Sequence, residues 1–313
     1  MNSNTQKCIQ WIKDYYKDNP NGKAIIGISG GKDSTVAAAL CVEALGAHRV
    51  VGVLMPNGTQ MDIADSYRVC AELGIEPMEI NIWNICRAFN AAATDGDEPS
   101  IFNNPMVKTN LPARVRMTVL YMVAAFYPGS RVVNTCNRSE DYVGYSTKFG
   151  DAAGDFSPLG KLTVREILEM GDDLGLPYDL VHKVPSDGMC GKSDEDNLGF
   201  SYEELDNFLL HTGPISEETM EKIDRLHKST RHKYEPMPMF DPNEVVIDFV
   251  QMSLFDYDKQ LKRGMRAEIG TINDAGTFSV DPYYQKNTPS VEALARDITK
   301  AMEETTRRIG VRI

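Results

Sequence analysis

The sequence predicts an α/β fold: a doubly wound, mostly parallel sheet with helices on both faces. The first observation is an alternation of short apolar runs with amphipathic segments through the first two-thirds of the 313 residues, as in repeated βαβ units. The second is a glycine-rich turn at 29–34, which joins the apolar run 24–28 to the start of a helix. Such a turn directs backbone N–H groups toward an anion, as phosphate-binding sheets do.

The elements of the predicted sheet follow from apolar periodicity. A first helix is predicted over 5–18, because apolar residues from Cys8 to Tyr16 recur at helical spacing. The predicted strands are 24–28, 50–54, 77–82 and 131–135. The other helices predicted among them are 34–45, 60–73, 84–92 and 105–126, and the polar stretch 94–104 is predicted to be a loop.

Two later helices are predicted from capping boxes, in which a hydroxyl and a glutamate three residues later satisfy free N–H groups. The pairs are Thr163 with Glu166 and Ser201 with Glu204. Residues 185–197 are rich in Gly, Ser and Asp, so we predict a mobile loop there.

The alternating rhythm ends near residue 241. We therefore expect one domain over 1–241 and a C-terminal extension of unknown role over 242–313. Within the extension, 245–255 is β-prone, an irregular Gly/Asp/Pro stretch follows, and 291–308 is predicted to be an amphipathic helix.

Composition narrows the class of protein. A hydrophobic content of 42% and a charged content of 25% are those of an ordinary globular domain. A formal charge of −12 argues against a nucleic-acid partner, and no apolar run is long enough to span a membrane. The six cysteines form no C-x-x-C pair, so zinc binding and a disulfide framework are not expected. With no signal peptide evident, we expect a cytoplasmic protein.

The turn Ser29-Gly30-Gly31-Lys32-Asp33-Ser34 is a candidate phosphate site. Its glycines let the backbone approach a phosphate closely, its serines add hydroxyl donors, and Asp33 is a candidate magnesium ligand. A Walker A loop is excluded, because counting from Gly27 places Lys32 where the second glycine should be. The dinucleotide pattern G-x-G-x-x-G is excluded because Ser29 occupies its second glycine position.

Simpler roles compete with these assignments. Asp33 could cap the helix that begins there, which would not prevent it from binding a metal. Glu140 could be an ordinary residue in the first turn of a helix. Arg114 and Arg116 could form surface salt bridges, and the acidic run 194–196 is expected to be a solvated loop rather than a metal site.

The turn matches the Ser-Gly-Gly-x-Asp-Ser signature of the N-type ATP pyrophosphatases, which have the adenine nucleotide alpha hydrolase-like fold. The motifs that follow, in order and spacing, make the chain resemble the ammonia-dependent NAD synthetase family from near the N-terminus to about residue 241. These motifs are 110–117, 134–140, 147–151, 152–155, 158–163, 185–186, 194–202 and 231–233.

The resemblance implies a ligase that adenylates the nicotinate carboxylate of deamido-NAD with ATP and Mg²⁺, releasing pyrophosphate. Ammonia then displaces AMP to give NAD. It also implies a homodimer. By resemblance, the ATP-contacting residues are Gly27, Ile28, Ser29, Gly30, Gly31, Lys32, Asp33, Ser34, Thr135 and Ser186. Those that contact deamido-NAD are Arg114, Lys148, Asp155, His232 and Lys233, and the magnesium ligands are Asp33 and Glu140.

Ammonia is mostly ammonium at neutral pH, so a proton acceptor is needed, and Asp151 or Asp155 is a candidate. Asp151 and Asp33 are therefore our candidate catalytic residues. The chain departs from the family at Val164, where relatives usually carry a lysine that contacts ATP. Lys161 or Arg165 could replace its charge.

Two other functions remain open. One is a different adenylating ligase of the same superfamily, such as a tRNA-modifying enzyme, against which the acidic charge speaks. The other is a nucleotide-binding protein that has lost catalysis, which Val164 and the unusual C-terminal stretch keep possible.

Overall fold

The computed structural model describes residues 3–60, 62–93, 103–183 and 194–240, and four short strands beyond them. The chain divides into two units, Met1–Met237 and Pro238–Ile313, which are described separately.

The first unit alternates strands and helices. Its strands are β1 (Ala24–Gly27), β2 (Val50–Leu54), β3 (Pro77–Glu79) and β4 (Arg131–Val132). Its helices are α1 (Ser3–Tyr15), α2 (Lys32–Leu45), α3 (Ile63–Glu72), α4 (Trp83–Ala93), α5 (Pro105–Phe126), α6 (Arg138–Val143), α7 (Val164–Asp173), α8 (Tyr178–Val181), α9 (Asp194–Leu198), α10 (Tyr202–Leu210) and α11 (Glu217–Thr230). Short 3-10 turns cover Ala47–Arg49 and Arg231–Lys233.

The four strands form one parallel sheet in the order β3-β2-β1-β4. The chain leaves β1 toward β2 and β3 and later returns to the other side of β1, where β4 pairs with it. The strand order therefore reverses between β1 and β4. In open α/β sheets, ligands bind outside the carboxyl ends of the strands at such a reversal.

Apolar side chains project from both faces of the sheet and pack against helices on each side. This confirms the doubly wound fold predicted from the sequence. Successive residues of a strand point to opposite faces. Ile26 accordingly packs in the apolar cluster that contains residues of α1, α2 and α7, whereas Ile25 packs in the cluster that contains residues of α5. Both isoleucine side chains are completely buried.

A third apolar cluster lies among the later helices. It contains Val143 of α6, Val164 of α7, Leu205 of α10 and Ile223 of α11. This cluster packs the helix that carries Glu140 against the helices that follow it.

The observed elements match most of the predicted ones, with shifts at their ends. Helix α5 has the predicted bounds, because Asn104 caps it by accepting a hydrogen bond from Met106 N and Pro105 occupies its first turn. The predicted strand 131–135 is shorter. Its paired residues end at Val132, because the backbone N–H of Asn134 donates to the Phe156 carbonyl over 2.9 Å instead of to β1.

In the later segments one prediction is wrong and one helix was not predicted. The predicted loop 185–197 includes α9 from Asp194 onward, and three acidic side chains in the first turn of that helix favour its N-terminus through the helix dipole. Helix α11 was not predicted; Ser216 caps it by accepting from Thr219 N. Residues 184–193, including Ser186 and most of the loop, lie outside the described residues.

The second unit contains an antiparallel sheet in the order β5-β8-β7-β6, formed by β5 (Val246–Asp248), β6 (Arg266–Ala267), β7 (Gly270–Ile272) and β8 (Thr277–Val280). The prediction of an irregular stretch is wrong there, since β-branched and aromatic residues in β7 and β8 favour strands despite the nearby Gly and Asp residues. The predicted helix 291–308 lies outside the described residues. Within the described part of the chain, no helix has the length and apolar character needed to cross a membrane.

Candidate functional site

A cavity of about 440 Å³ opens at the reversal of strand order between β1 and β4. The glycine-rich turn forms one wall, and residues that follow β4 form another. The predicted site residues that line it are Gly27, Ile28, Ser29, Gly30, Gly31, Lys32, Asp33, Thr135, Glu140 and Asp151. The structure brings these residues together around one cavity, and the roles assigned to them stay predictions.

Hydrogen bonds between two serines fix the shape of the glycine-rich turn. The hydroxyls of Ser29 and Ser34 lie 3.0 Å apart, and Gly31 N donates to Ser29 Oγ over 3.2 Å. Ser34 Oγ in turn donates to the Gly31 carbonyl over 3.1 Å. Ser34 is buried and is absent from the described lining of the cavity, so its contacts support the turn from behind.

Gly30 is required by both its conformation and its surroundings. Its φ is +78°, in the left-handed region that favours glycine. A Cβ added there would lie 2.9 Å from Cβ of Asp65, so helix α3 packs directly against the turn. The close approach leaves the backbone on the other side free to face the cavity.

Asp33 lies in the first turn of α2 but does not cap it. The N-cap residue is Gly31, and no side chain makes a capping hydrogen bond there. The Asp33 carboxylate is instead paired with the nearly buried ammonium of Lys32, 2.8 Å from Oδ2. The capping alternative for Asp33 is therefore wrong.

Glu140 faces the same ammonium, with its Oε1 3.8 Å from Lys32 Nζ. Its side chain is only 15% exposed, so it is not a surface residue. Burial, followed by the charge of Asp33, raises the pKa of Glu140 to about 8. Burial alone would lower the pKa of Lys32, but the two carboxylates outweigh burial and raise it. The two carboxylates of Asp33 and Glu140 thus share a single positive charge, that of Lys32.

Asn137 holds the two carboxylate residues together. As N-cap of α6, its Oδ1 accepts a hydrogen bond from Glu140 N over 2.9 Å. Its Nδ2 donates to Asp33 Oδ1 over 3.1 Å, and the residue is completely buried. The sequence analysis missed this role, although an asparagine three residues before a glutamate is a recognisable start of a helix.

Tyr202 of α10 closes the back of the acidic pair. Lys32 Nζ lies 5.3 Å from the centre of its ring, within the range of a cation–π contact. Its hydroxyl is buried and has no hydrogen-bond partner among the described residues. The negative charges of Glu140, Asp194 and Asp33 add to burial in raising the pKa of Tyr202.

These groups fit a magnesium ion. Two carboxylates are hard oxygen ligands, and the unpartnered Tyr202 hydroxyl could contact a metal-bound water. No cluster of three or more potential metal ligands is found in the described part of the chain, so waters and phosphate oxygens would complete the coordination. Asp194, expected in a solvated loop, lines the cavity and accepts a hydrogen bond from the Tyr145 hydroxyl.

Asp151 also lines the cavity and lies in the turn that follows α6. Its Oδ1 accepts a hydrogen bond from Thr147 N over 2.9 Å. Burial of the carboxylate raises the pKa of Asp151, and the hydrogen bond from Thr147 acts in the opposite direction. A carboxylate with a raised pKa is suited to accept a proton.

Four of the five residues expected to contact deamido-NAD lie together outside the described lining of the cavity. Arg114 Nε donates to the Lys148 carbonyl, and Lys148 Nζ donates to the His232 carbonyl. Lys233 Nζ donates to the carbonyls of Gly144 and Ser146 at 2.6 and 2.9 Å. We call Arg114, Lys148, His232 and Lys233 the basic group.

Asp155 lies apart from the contacts of the basic group. Its Oδ2 accepts a hydrogen bond from Val132 N over 2.7 Å, and its Oδ1 accepts one from the Tyr121 hydroxyl over 3.3 Å. The structure therefore ties Asp155 to the end of β4.

Arg116 was expected only as a possible surface ion pair, and that alternative is wrong. It lines the cavity, its Nε donates to the Met55 carbonyl over 3.0 Å, and burial lowers its pKa. Arg116 is two positions from Arg114, which turns it to a different side of α5. That spacing was the available signal.

Val164 is buried in the third apolar cluster, at the first position of α7. The Arg165 guanidinium donates to Asn207 Oδ1 over 2.8 Å, and Lys161 is exposed. Neither residue is among the described residues that line the cavity. Neither neighbour therefore supplies positive charge to the described lining of the cavity in place of the lysine that the resemblance led us to expect.

A parallel sheet with a glycine-rich turn and paired carboxylates at its strand reversal defines a nucleotide-binding α/β protein of the ATP pyrophosphatase type. Residues 4–237 match the family model described as NAD synthase. The chain belongs to the NAD synthase family.

Named relatives agree with this assignment. An NH(3)-dependent NAD(+) synthetase of Pyrococcus furiosus is 35% identical over 244 residues, covering 74% of this chain and 92% of the relative. One from Methanococcoides burtonii is 42% identical over 189 residues, covering 59% of this chain and 70% of the relative.

Two solved structures are similar to this chain. The NMN synthetase from Francisella tularensis has a TM-score of 0.68 at 33% identity and covers 76% of this chain and 97% of its own. The NH3-dependent NAD synthetase from Campylobacter jejuni has a TM-score of 0.61 at 27% identity, covering 77% of this chain and 100% of its own.

Proposed function

We propose that this protein amidates deamido-NAD to NAD with ATP and ammonia, through a deamido-NAD adenylate, as the final step of NAD biosynthesis. The observation that carries the proposal is the meeting of Asp33 and Glu140 beside the glycine-rich turn, at the strand reversal. Backbone N–H groups of the turn bind the ATP phosphates there. The names of the curated relatives support ammonia as the nitrogen donor.

Asp33 and Glu140 would hold a magnesium ion, which would supply positive charge against the phosphate oxygens of ATP. Lys32 lies between the same carboxylates and contributes a positive charge near the phosphates. Thr135 and Ser186 contact ATP in this proposal. The nicotinate carboxylate attacks the α-phosphorus, and the bond to the β-phosphate oxygen breaks, so that pyrophosphate leaves with the electron pair.

Deamido-NAD binds beside the same cavity. The basic group supplies cations for its phosphates, and Asp155 offers an acceptor for a sugar hydroxyl. Asp151 takes a proton from ammonium, because burial raises its pKa and so makes it a stronger base than an ordinary carboxylate. The ammonia so formed attacks the adenylated carboxyl carbon, its nitrogen loses a second proton to solvent, and AMP leaves with the electron pair of the broken C–O bond.

We also propose a cytoplasmic homodimer with a catalytic domain over 1–241 and an extension over 242–313. Large apolar side chains stand exposed on α4 and α5, including Phe89, Met122 and Phe126 at 52, 58 and 76%. Exposed apolar surface of this kind is typical of an interface. Sedimentation velocity tests the dimer: Phe126→Glu should shift the protein toward a monomer, whereas an unshifted dimer would contradict this surface.

One assay tests the reaction. Purified protein receives ATP, Mg²⁺, deamido-NAD and ammonium, and NAD and pyrophosphate are followed together. Equal amounts of both products support the proposal. A folded protein that binds ATP but forms neither product would instead be a nucleotide-binding protein without catalysis.

A second candidate substrate is nicotinate mononucleotide. It is favoured by the similarity to the structure named as an NMN synthetase, whose TM-score of 0.68 exceeds the 0.61 of the Campylobacter NAD synthetase. Comparing kcat/KM for the two nucleotides in the same assay decides between them. We expect the dinucleotide to be preferred, and a preference for the mononucleotide would replace the first proposal.

A further inference from the structure

We propose that Lys183 binds the β- and γ-phosphates of ATP. In this proposal the Lys183 ammonium is paired with Asp65 when no ligand is bound and leaves Asp65 to contact the phosphates. This inference rests on the proposed ATP-dependent function and adds a phosphate-binding residue to it. Lys183 lines the cavity at its far edge, just after α8. Its Nζ donates to Asp65 Oδ2 on α3.

The pair lies against the phosphate-binding turn. A Cβ on Gly30 would come within 2.9 Å of the Cβ of Asp65, so the residue that holds Lys183 is in contact with the turn. The side chains of Lys183 and Asp65 are 34% and 33% exposed. The ammonium is therefore near the turn and still accessible from the cavity.

Lys183 differs from the other two cations in the described lining of the cavity. Lys32 is 5% exposed and is paired with Asp33 and Glu140. Arg116 donates to a backbone carbonyl and is held along α5. Lys183 instead has a flexible stem and a partly solvated partner, and an exposed ion pair of this kind holds its members weakly. It is the cation in this lining that can move to a ligand at small cost.

The leaving group needs such a charge. When the adenylyl group is transferred to a carboxylate, the bond between the α-phosphorus and the oxygen of the β-phosphate breaks. Negative charge then accumulates on the leaving pyrophosphate. An ammonium placed there attracts ATP and pyrophosphate more strongly than it attracts AMP, because AMP lacks the β- and γ-phosphates. The predicted signature is therefore a loss of affinity for ATP and pyrophosphate with no loss for AMP.

Titration calorimetry with Mg²⁺ and each of ATP, inorganic pyrophosphate and AMP tests this on the full chain. Lys183→Met should weaken ATP and pyrophosphate binding about 10- to 100-fold, because a charged hydrogen bond is lost. AMP binding should change less than about twofold, and Lys183→Arg should recover most of the loss. The matched control is Lys228→Met, which removes a lysine from an exposed pair with Asp224 on α11.

Asp65→Asn gives an independent arm with Lys183 intact. If Asp65 competes with the ligand, pyrophosphate affinity should stay equal or rise up to about fivefold. A fall in that affinity would overturn the counter-charge role, and unchanged ATP and pyrophosphate binding in Lys183→Met would overturn the inference. Failure of the unmodified chain to bind ATP would instead contradict the proposed function itself.

Discussion

The side-chain amide of Asn137 donates to Asp33 Oδ1 over 3.1 Å and so joins the helix after β4 to the turn after β1. The other end of the same amide caps α6 by accepting from Glu140 N. Both proposed magnesium ligands thus depend on one buried side chain. Its two functions, capping and orientation, can be separated by substitution.

Asn137→Ser should keep the helix cap but lose the bond to Asp33, whereas Asn137→Ala should lose both. We expect turnover to fall at least about tenfold in each variant, since positioned groups contribute strongly to catalysis. Only Asn137→Ala should also lose about 1 kcal/mol of unfolding free energy from the missing cap. Denaturant unfolding and NAD formation measure the two effects, and equal stability loss in both variants would contradict the separation.

Asp33→Asn and Glu140→Gln should remove activity without weakening the fold. Loss of either carboxylate is expected to lower kcat at least about 100-fold, as for other groups that stabilise transition-state charge. Glu140→Gln should raise the unfolding free energy at pH 7 by about 1–3 kcal/mol without Mg²⁺, because burial raises the pKa of Glu140 to about 8. Full activity in Asp33→Asn would remove Asp33 from the metal site.

Tyr202→Phe should likewise raise the stability of the protein while lowering its turnover. The buried hydroxyl has no partner in the described part of the chain, so its removal should raise the unfolding free energy by about 1 kcal/mol. Turnover should fall about tenfold if the hydroxyl orders metal-bound water. Tyr178→Phe is the control, since Tyr178 is 72% exposed. A variant that is less stable and fully active would contradict both expectations.

Asp141 should make stability depend on pH. Burial, followed by the charge of Asp151, raises the pKa of Asp141 to about 6, against about 3.9 in an unfolded chain. The folded chain then holds the proton more tightly, so stability falls as pH rises from about 4 to 6 and is level above it. Asp141→Asn removes this cost of about 1–2 kcal/mol at pH 7, after allowance for partial exposure. The measurement is the unfolding free energy of the unmodified protein and of Asp141→Asn, without Mg²⁺, from pH 4.5 to 7. A difference between the two proteins that stays constant over this range would contradict the prediction.

Local sequence signals predicted the parallel sheet and the glycine-rich turn that lines the cavity. The glycine turn, the two capping boxes and the bounds of α5 depend on residues that are close in the chain. Contacts between distant segments were not predictable in this way. Asn137 meets Asp33 across 104 positions, and Lys183 meets Asp65 across 118. Their partners are set by strand order, which no short pattern encodes.

Short polar segments were the other source of error. The acidic run in α9 resembles a loop by composition, yet Leu198 is buried and anchors it in the third apolar cluster. The strands of the second unit contain only two to four residues each, too few for a clear alternation. Tertiary packing decides such segments, and composition does not.

The turn that carries His232 and Lys233 is attached through main-chain oxygens. Lys148 reaches the carbonyl of His232, and Lys233 reaches the carbonyls of Gly144 and Ser146. Every residue type offers the same carbonyl, so the side chains at positions 146 and 232 can be exchanged during evolution while these attachments persist. Gly144 is the exception, because its φ is +66° and an added Cβ would lie 2.2 Å from Cβ of Thr230. A homologue can therefore acquire a new side chain at position 232 without having to rebuild the scaffold that presents it.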